Sequence, residues 1–155
     1  MISHSQNETI EYAKKFAKKL KGGEVIGLVG ELGSGKTTFV KGLAEGLGIK
    51  EPVTSPTFVL LKEYPITHRH LHFASVNGEV SMKLVHVDAY RVGNIEDIKS
   101  VGIEDYLGRD DVIMVIEWAE KIKKILPKHT IYINFKHINE SKREIIPHLS
   151  LERQK

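Results

Sequence analysis

"GELGSGKTTF", residues 30–39, decides how the rest of the chain is read. Gly30, Gly35, Lys36 and Thr37 satisfy G-x-x-x-x-G-K-[ST] without a gap. The spacing has a chemical reason. Small residues let backbone N–H groups turn inward on phosphate oxygens, an ammonium reaches the β/γ side, and the next hydroxyl meets Mg2+. A phosphate loop also needs a strand before it and a helix after it. "EVIGLVG", residues 24–30, is a short continuous apolar run, as a parallel strand buried on both faces should be. "TTFVKGLAEGLGI", residues 37–49, places Phe39, Val40, Leu43 and Leu47 at helical spacing. Strand, loop and helix stand in the required order.

Outward from this unit, "SQNETIEYAKKFAKKLKGG" is predicted as a helix with Ile10, Ala13, Phe16, Ala17 and Leu20 on one face. Ser5 and Glu8 fit a capping box, and Gly22-Gly23 supplies the stop. Pro52 and Pro56 favour an extended chain, after which "TFVLLKEY" is predicted as a strand. Asn77-Gly78 marks the turn of a hairpin arm leading into "KLVHVD". "IEDIKSVGIEDYLG" is read as short helix and loop, "DVIMVIEW" as another buried strand, and "AEKIKKILP" as a helical turn or two. "TIYINFKHI" and "REIIPHLSLE" alternate as an antiparallel pair joined at "NESK", with Pro147 pointing to an edge. The expected fold class is α/β, a P-loop NTPase fold with a mixed, mainly parallel sheet flanked by helices. Residues 1–155 are expected to form a single domain.

Two of the predicted strands end in acids: "LVHVD" at Asp88 and "VIMVIE" at Glu117. Ligands gather at the carboxyl ends of strands in open α/β sheets, and a phosphate loop needs a carboxylate to hold its Mg2+ shell. One acid can hold the metal while the other orients or deprotonates water, and the residue pattern leaves their order open. Lys36, Asp88 and Glu117 are the catalytic candidates, and the Thr37 hydroxyl is the candidate metal ligand of the loop. "TSPTF", just after the helix of the phosphate loop, carries Thr54, Ser55 and Thr57, read either as a γ-phosphate sensor or as an ordinary Ser/Thr/Pro turn. His86, inside an apolar strand, is read as a packed histidine rather than a ligand. His68, His70 and His72 alternate, but no neighbouring acid or cysteine completes a metal set. Trp118, the only tryptophan, directly follows Glu117 and is either core or site.

The composition narrows the class further. The chain has 41% apolar and 28% charged residues, which is ordinary for a globular protein and argues against disorder. It contains no cysteine, which excludes disulfides and thiolate metal sites. Its apolar runs are too short for a membrane span and its first residues lack the core of a signal peptide, so a cytoplasmic protein is expected. Net charge is +3, with "KKFAKKLK" and "KIKKILPKH" read as solvated helix faces. No [NT]KxD motif for guanine occurs, so ATP is preferred over GTP by elimination.

"GELGSGKTTFVKGLAEGLGI", "VTSPTF", "HVDAYR" and "IEWAEK" occur in the order and spacing of one family, and over roughly residues 5–150 the chain resembles TsaE. That resemblance implies a bacterial ATPase needed to make threonylcarbamoyladenosine at position 37 of tRNAs that read ANN codons. It implies Mg-ATP as ligand, with Gly33, Ser34, Gly35, Lys36, Thr37 and Thr38 on the phosphates. It further implies Thr9 toward the adenine side, Arg143 as a late basic residue near the nucleotide, and Glu117 as the second metal position. Asp88 matches the Walker B acid. TsaD and TsaB are the implied partners, with hydrolysis resetting their complex between turnovers. The segment before "LVHVD" is longer than is typical of that family. Two other classes compete. A small-molecule P-loop kinase would need an arginine-bearing lid, yet Arg69, Arg91, Arg109, Arg143 and Arg153 are scattered. A nucleotide-gated tRNA-binding module would bind tRNA alone, with steep salt dependence.

Overall fold

In a computed structural model the sheet is built outward from residues 25–30, and the structure describes residues 1–56, 58, 60–67 and 82–149. In chain order the elements are β1 (Ile2–Ser3), α1 (Gln6–Ala17), β2 (Val25–Gly30), α2 (Lys36–Gly46), β3 (Leu61–Pro65) and β4 (Lys83–Asp88). They continue with α3 (Ile95–Ser100), β5 (Val112–Glu117), β6 (Ile131–His137) and β7 (Arg143–Leu149). Short 3-10 segments at Ile103–Asp105 and Ala119–Ile125 flank β5.

The seven strands form one sheet in the order β1-β7-β6-β2-β5-β4-β3. The inner pairings β6–β2, β2–β5 and β5–β4 are parallel, and the outer three are antiparallel. The expected mixed α/β sheet is therefore present, with a parallel centre. The central strands β2, β4 and β5 are mostly apolar because they are covered on both faces, with His86, Asp88 and Glu117 as their buried polar exceptions. On β2, Ile26 and Leu28 face a core shared with α1 and α2. Val25 faces the opposite core, with Val85, Val87, Met114, Ile98 and Ile103.

Phe39 ties three elements together. It is fully buried, and its ring lies 5.7 Å from Phe16 of α1 and 5.6 Å from Phe135 of β6, both edge-on. Its truncation to alanine would cost about 3–5 kcal/mol. α1 also approaches α2 closely because two positions of α2 lack a side chain. A Cβ at Gly42 would sit 2.5 Å from the Ile10 carbonyl oxygen, and one at Gly46 2.7 Å from Ala17 Cβ. This contact brings the first turn of α1 beside the start of α2.

Several boundaries differ from the sequence expectation, each for a local reason. α1 ends at Ala17, so Leu20 reaches the core from the following turn rather than from the helix. Ser5 caps α1 as expected, accepting from the Glu8 N–H at 3.1 Å, but the capping box is only half formed. The Glu8 carboxylate reaches one residue further back and accepts from the His4 N–H at 2.8 Å. The strand expected from Thr57 begins at Leu61, because Leu60 takes a left-handed φ of 62° and its N–H closes a turn onto the Pro56 carbonyl. β1 has no counterpart in the sequence reading, since two residues carry no period and pair only with a distant strand. Pro147 lies on the part of β7 that β1 does not cover, which resolves its apparent conflict with a strand flanked on both sides.

Of the first basic stretch, Lys14 is paired with Glu11 at 2.9 Å and Glu45 at 2.8 Å, which fits a solvated helix face. Thr57, His68, His70, His72 and the Asn77-Gly78 turn lie outside the described residues. No helix among the described residues is long and apolar enough to cross a membrane.

Candidate functional site

The parallel centre places the carboxyl ends of β2, β5 and β4 side by side. Leu28 of β2 pairs with Glu117 of β5, and Glu117 with Asp88 of β4, so both acids end on the side where the glycine loop leaves the sheet. The loop between β2 and α2 bends through left-handed φ at Gly33 (75°) and Gly35 (104°). Gly30 is required for another reason. A Cβ there would lie 2.4 Å from the Phe135 carbonyl oxygen, so the loop can leave β2 only where no side chain exists.

Lys36 is the first residue of α2, and its ammonium is held over the loop. Nζ donates to the carbonyls of Gly30 at 2.6 Å and Glu31 at 2.8 Å, and it lies 3.8 Å from the centre of the Trp118 ring. Burial pushes its pKa below the usual lysine range, while the carboxylates of Glu117, Glu120 and Asp88 act in the opposite direction. The cation is therefore concentrated where α2 begins, a position that already favours an anion through its unpaired N–H groups.

The Thr37 hydroxyl donates to Glu117 Oε2 at 2.8 Å. The other oxygen, Oε1, faces His86 Nε2 at 2.9 Å. Asp88 is held differently. Its Oδ2 accepts from the Ser55 hydroxyl and its Oδ1 from the Tyr90 N–H at 2.9 Å, while its own N–H donates to the Leu60 carbonyl at 2.9 Å. Tyr90 in turn lays its ring 5.0 Å from that of Trp118, and Lys121 donates to the Tyr90 carbonyl. Trp118 takes a left-handed φ of 60°, unusual for a bulky residue, directly after Glu117.

All ten residues expected at the site line one cleft of about 460 Å3: Thr9, Gly33, Ser34, Gly35, Lys36, Thr37, Thr38, Asp88, Glu117 and Arg143. Such a volume suits a small molecule. Thr9 is buried and exchanges a 2.8 Å hydrogen bond with the Ser3 hydroxyl, so α1 presents it from a fixed position. Arg143 reaches the loop from β7, its Cδ 3.3 Å from where a Gly35 Cβ would stand. Of the "TSPTF" hydroxyls, Ser55 lines the cleft and Thr54 does not. Gln6, Tyr90 and His86 were not picked out as site residues from the sequence. Gln6 and Tyr90 line the cleft, and His86 stands behind it, fully buried as expected but bonded to a site carboxylate. For His86 the signal was available: it precedes Asp88 by two on a strand, which puts both on one face. Tyr90 follows Asp88 in "DAYR" and carried no such signal.

Oxygen donors dominate the set. Thr37, Glu117 and Asp88 offer a hydroxyl and two carboxylates, and no group of three or more His, Cys, Asp or Glu that could hold a metal ion occurs among the described residues. That donor set suits Mg2+, which keeps several waters and takes few protein ligands, and it does not suit zinc.

Comparison with known proteins gives a consistent result. The family model described as threonylcarbamoyl adenosine biosynthesis protein TsaE matches residues 3–145. The chain is 37% identical over 144 residues to the tRNA threonylcarbamoyladenosine biosynthesis protein TsaE of Treponema pallidum, covering 93% of this chain and 96% of that protein. It is 38% identical over 138 residues to the protein of the same name from Bacillus subtilis, covering 89% and 77%. Among solved structures it resembles Bacillus subtilis YdiB with a TM-score of 0.74 and 34% identity, over 99% of this chain and 86% of that one.

Proposed function

The chain belongs to the TsaE family of tRNA threonylcarbamoyladenosine biosynthesis, and on that premise we propose that it is the Mg2+-dependent ATPase of the pathway, hydrolysing ATP to drive turnover of a TsaB–TsaD complex. One observation carries the reading. The loop hydroxyl of Thr37 and the strand-end carboxylate of Glu117 meet at 2.8 Å in the cleft that also holds the Lys36 ammonium. A phosphate loop, a metal-binding hydroxyl and a facing acid are the parts that phosphoryl chemistry needs.

In this reading the N–H groups of residues 33–38 and the Lys36 ammonium bind the phosphates, and Thr9 and Arg143 bound the cleft on either side. Thr37 and Glu117 would hold Mg2+, which when bound neutralises charge on the β/γ oxygens. Asp88 orients the attacking water and accepts its proton. Because Ser55 and the Leu60 carbonyl are both bonded to Asp88, the segment before β3 is tied to the acid that faces the reaction. A change at the γ-phosphate would thereby be passed to Ser55 and Leu60, where a partner can read it. Phe58 in this segment is 83% exposed, a side chain available to such a partner. The γ-phosphate is then spent on switching, and tRNA is reached through the complex.

The test is ATP hydrolysis by the purified protein with Mg2+, alone and with TsaB and TsaD. Slow turnover that rises with the pair is expected, and Lys36→Ala should lower it by at least about 100-fold. Turnover indifferent to the pair would overturn the switching role and redirect the search to a phosphate acceptor.

A further inference from the structure

We propose that His86 is a positioning residue for the metal-binding carboxylate: its ring donates from Nε2 to Glu117 and so fixes which oxygen of that acid meets Thr37. The proposal rests on the Mg-ATP reading above and adds to it a residue that touches neither nucleotide nor metal. His86 sits in the interior of β4 with no exposed surface, so it acts only through a neighbour. Its register partner on β5 is Val115, and its chain neighbours Val85 and Val87 are apolar. Its register partner on β3 is Lys62, and among the described residues Glu117 is the polar group its ring is bonded to.

The two oxygens of Glu117 are divided between two donors. Oε1 takes the His86 N–H at 2.9 Å and Oε2 takes the Thr37 hydroxyl at 2.8 Å. Glu117 is itself only 3% exposed, and a buried carboxylate oxygen without a donor is costly. His86 therefore both satisfies the inner oxygen and removes the rotation that would exchange the two. The other ring nitrogen supports the same assignment. Nδ1 is buried with no hydrogen-bond partner among the described residues. A proton there would be a stranded donor, whereas a bare Nδ1 strands only a lone pair. The geometry thus favours the proton on Nε2, aimed at Glu117. Outer partners of metal ligands hold the ligand in the geometry the ion requires, and their loss lowers metal affinity by about 10–100-fold.

Trp118 supplies a readout other than turnover, since it is the sole tryptophan, adjoins Glu117 and lies against Lys36. Mg2+ is titrated into the whole protein at a fixed concentration of a non-hydrolysable ATP analogue while Trp118 fluorescence is followed. His86→Gln keeps an N–H donor near the Nε2 position. His86→Asn moves it to the Nδ1 position, out of reach of Glu117. The half-saturating Mg2+ concentration should rise about 10–100-fold in His86→Asn and stay near the wild-type value in His86→Gln, with analogue affinity in the absence of Mg2+ unchanged in both. Equal Mg2+ dependence in all three proteins overturns the proposal. Equal weakening in both variants, alongside a lowered melting temperature, overturns it too and leaves His86 as packing. Nitrogen NMR of the wild-type imidazole decides independently of any variant's folding. A proton on Nε2 supports the proposal, and a neutral ring with its proton on Nδ1 overturns it. A wild-type protein with no Mg2+-dependent response at all sinks the Mg-ATP reading and this inference with it, an outcome distinct from the others.

Discussion

Asp88 and Glu117 begin as near equals. Each ends an apolar central strand, the two are paired in register, and they are 4% and 3% exposed. Their partners separate them. Glu117 is bonded to the phosphate loop through Thr37 and to the sheet interior through His86. Asp88 is bonded to Ser55 and the Leu60 carbonyl, both from the segment between α2 and β3, and to the Tyr90 N–H. One acid is bonded into the loop and the sheet, and the other to a connection. Equivalent places in a sheet acquire different surroundings from what is attached to them, and in the proposed function that attachment would divide holding an ion from sensing a reaction.

Substitutions can break that division or sharpen it. Glu117→Ala should have the largest effect of the four compared here, lowering turnover by about 100-fold or more and raising the Mg2+ requirement, with a smaller loss of thermal stability. Normal turnover in this variant would remove the metal assignment. Asp88→Asn should lower turnover by about 100-fold, the usual scale for losing a positioned acid–base group, while the Mg2+ requirement holds near wild type. A matching rise in Mg2+ requirement would merge the two acids into one metal site. Ser55→Ala removes one hydrogen bond to a charged group and should reduce turnover by about tenfold without moving the Mg2+ curve. If it also abolishes stimulation by TsaB and TsaD, the coupling between cleft and connecting segment is sharpened.

The smallest effect is a control from a strand acid outside the cleft. Glu63 on β3 is bonded by Lys83 at 2.6 Å and by the Tyr106 hydroxyl, and these hydrogen bonds, Lys83 first, hold its carboxyl below the usual glutamate range. A lowered folded pKa contributes stability above the ordinary value of 4.5 that is lost as pH falls through the lowered one. Glu63→Gln should leave turnover unchanged. Its melting temperature should fall slightly below wild type at neutral pH, with the gap closing in acid. The margin is small because the pair is partly exposed and screened. A gap that persists in acid would assign the effect to packing.

Where a motif has fixed spacing, its residues were legible in the sequence, and the structure brings Gly35, Lys36 and Thr37 to one cleft. The loop from Gly30 to Thr37 needs its residues at set intervals, and the two acids stand at strand ends that apolar runs make visible. Thr9 and Arg143 are different. They lie at opposite ends of the chain, and only resemblance to a known family pointed to them before α1 and β7 were seen to bring them to the loop. The reading failed where a single residue's backbone decides the outcome, as at Leu60, whose left-handed turn delays β3 and puts its carbonyl on the Asp88 N–H. It failed also for β1, which exists only as a partner of β7. His86 shows a third kind of gap. Its place on the strand was legible, but a buried histidine looks the same in sequence whether it fills space or holds a carboxylate.

The glycines of α2 carry a consequence for the width of the cleft. Gly42 and Gly46 touch no part of the cleft, yet their missing methyl groups set how near α1 lies, and α1 delivers Gln6 and Thr9 to the cleft wall. The helix pair works as a caliper whose jaw is the cleft and whose screw lies about one to two turns beyond it along α2. Methyl groups added at the screw are expected to push α1 outward and widen the jaw with every lining residue intact.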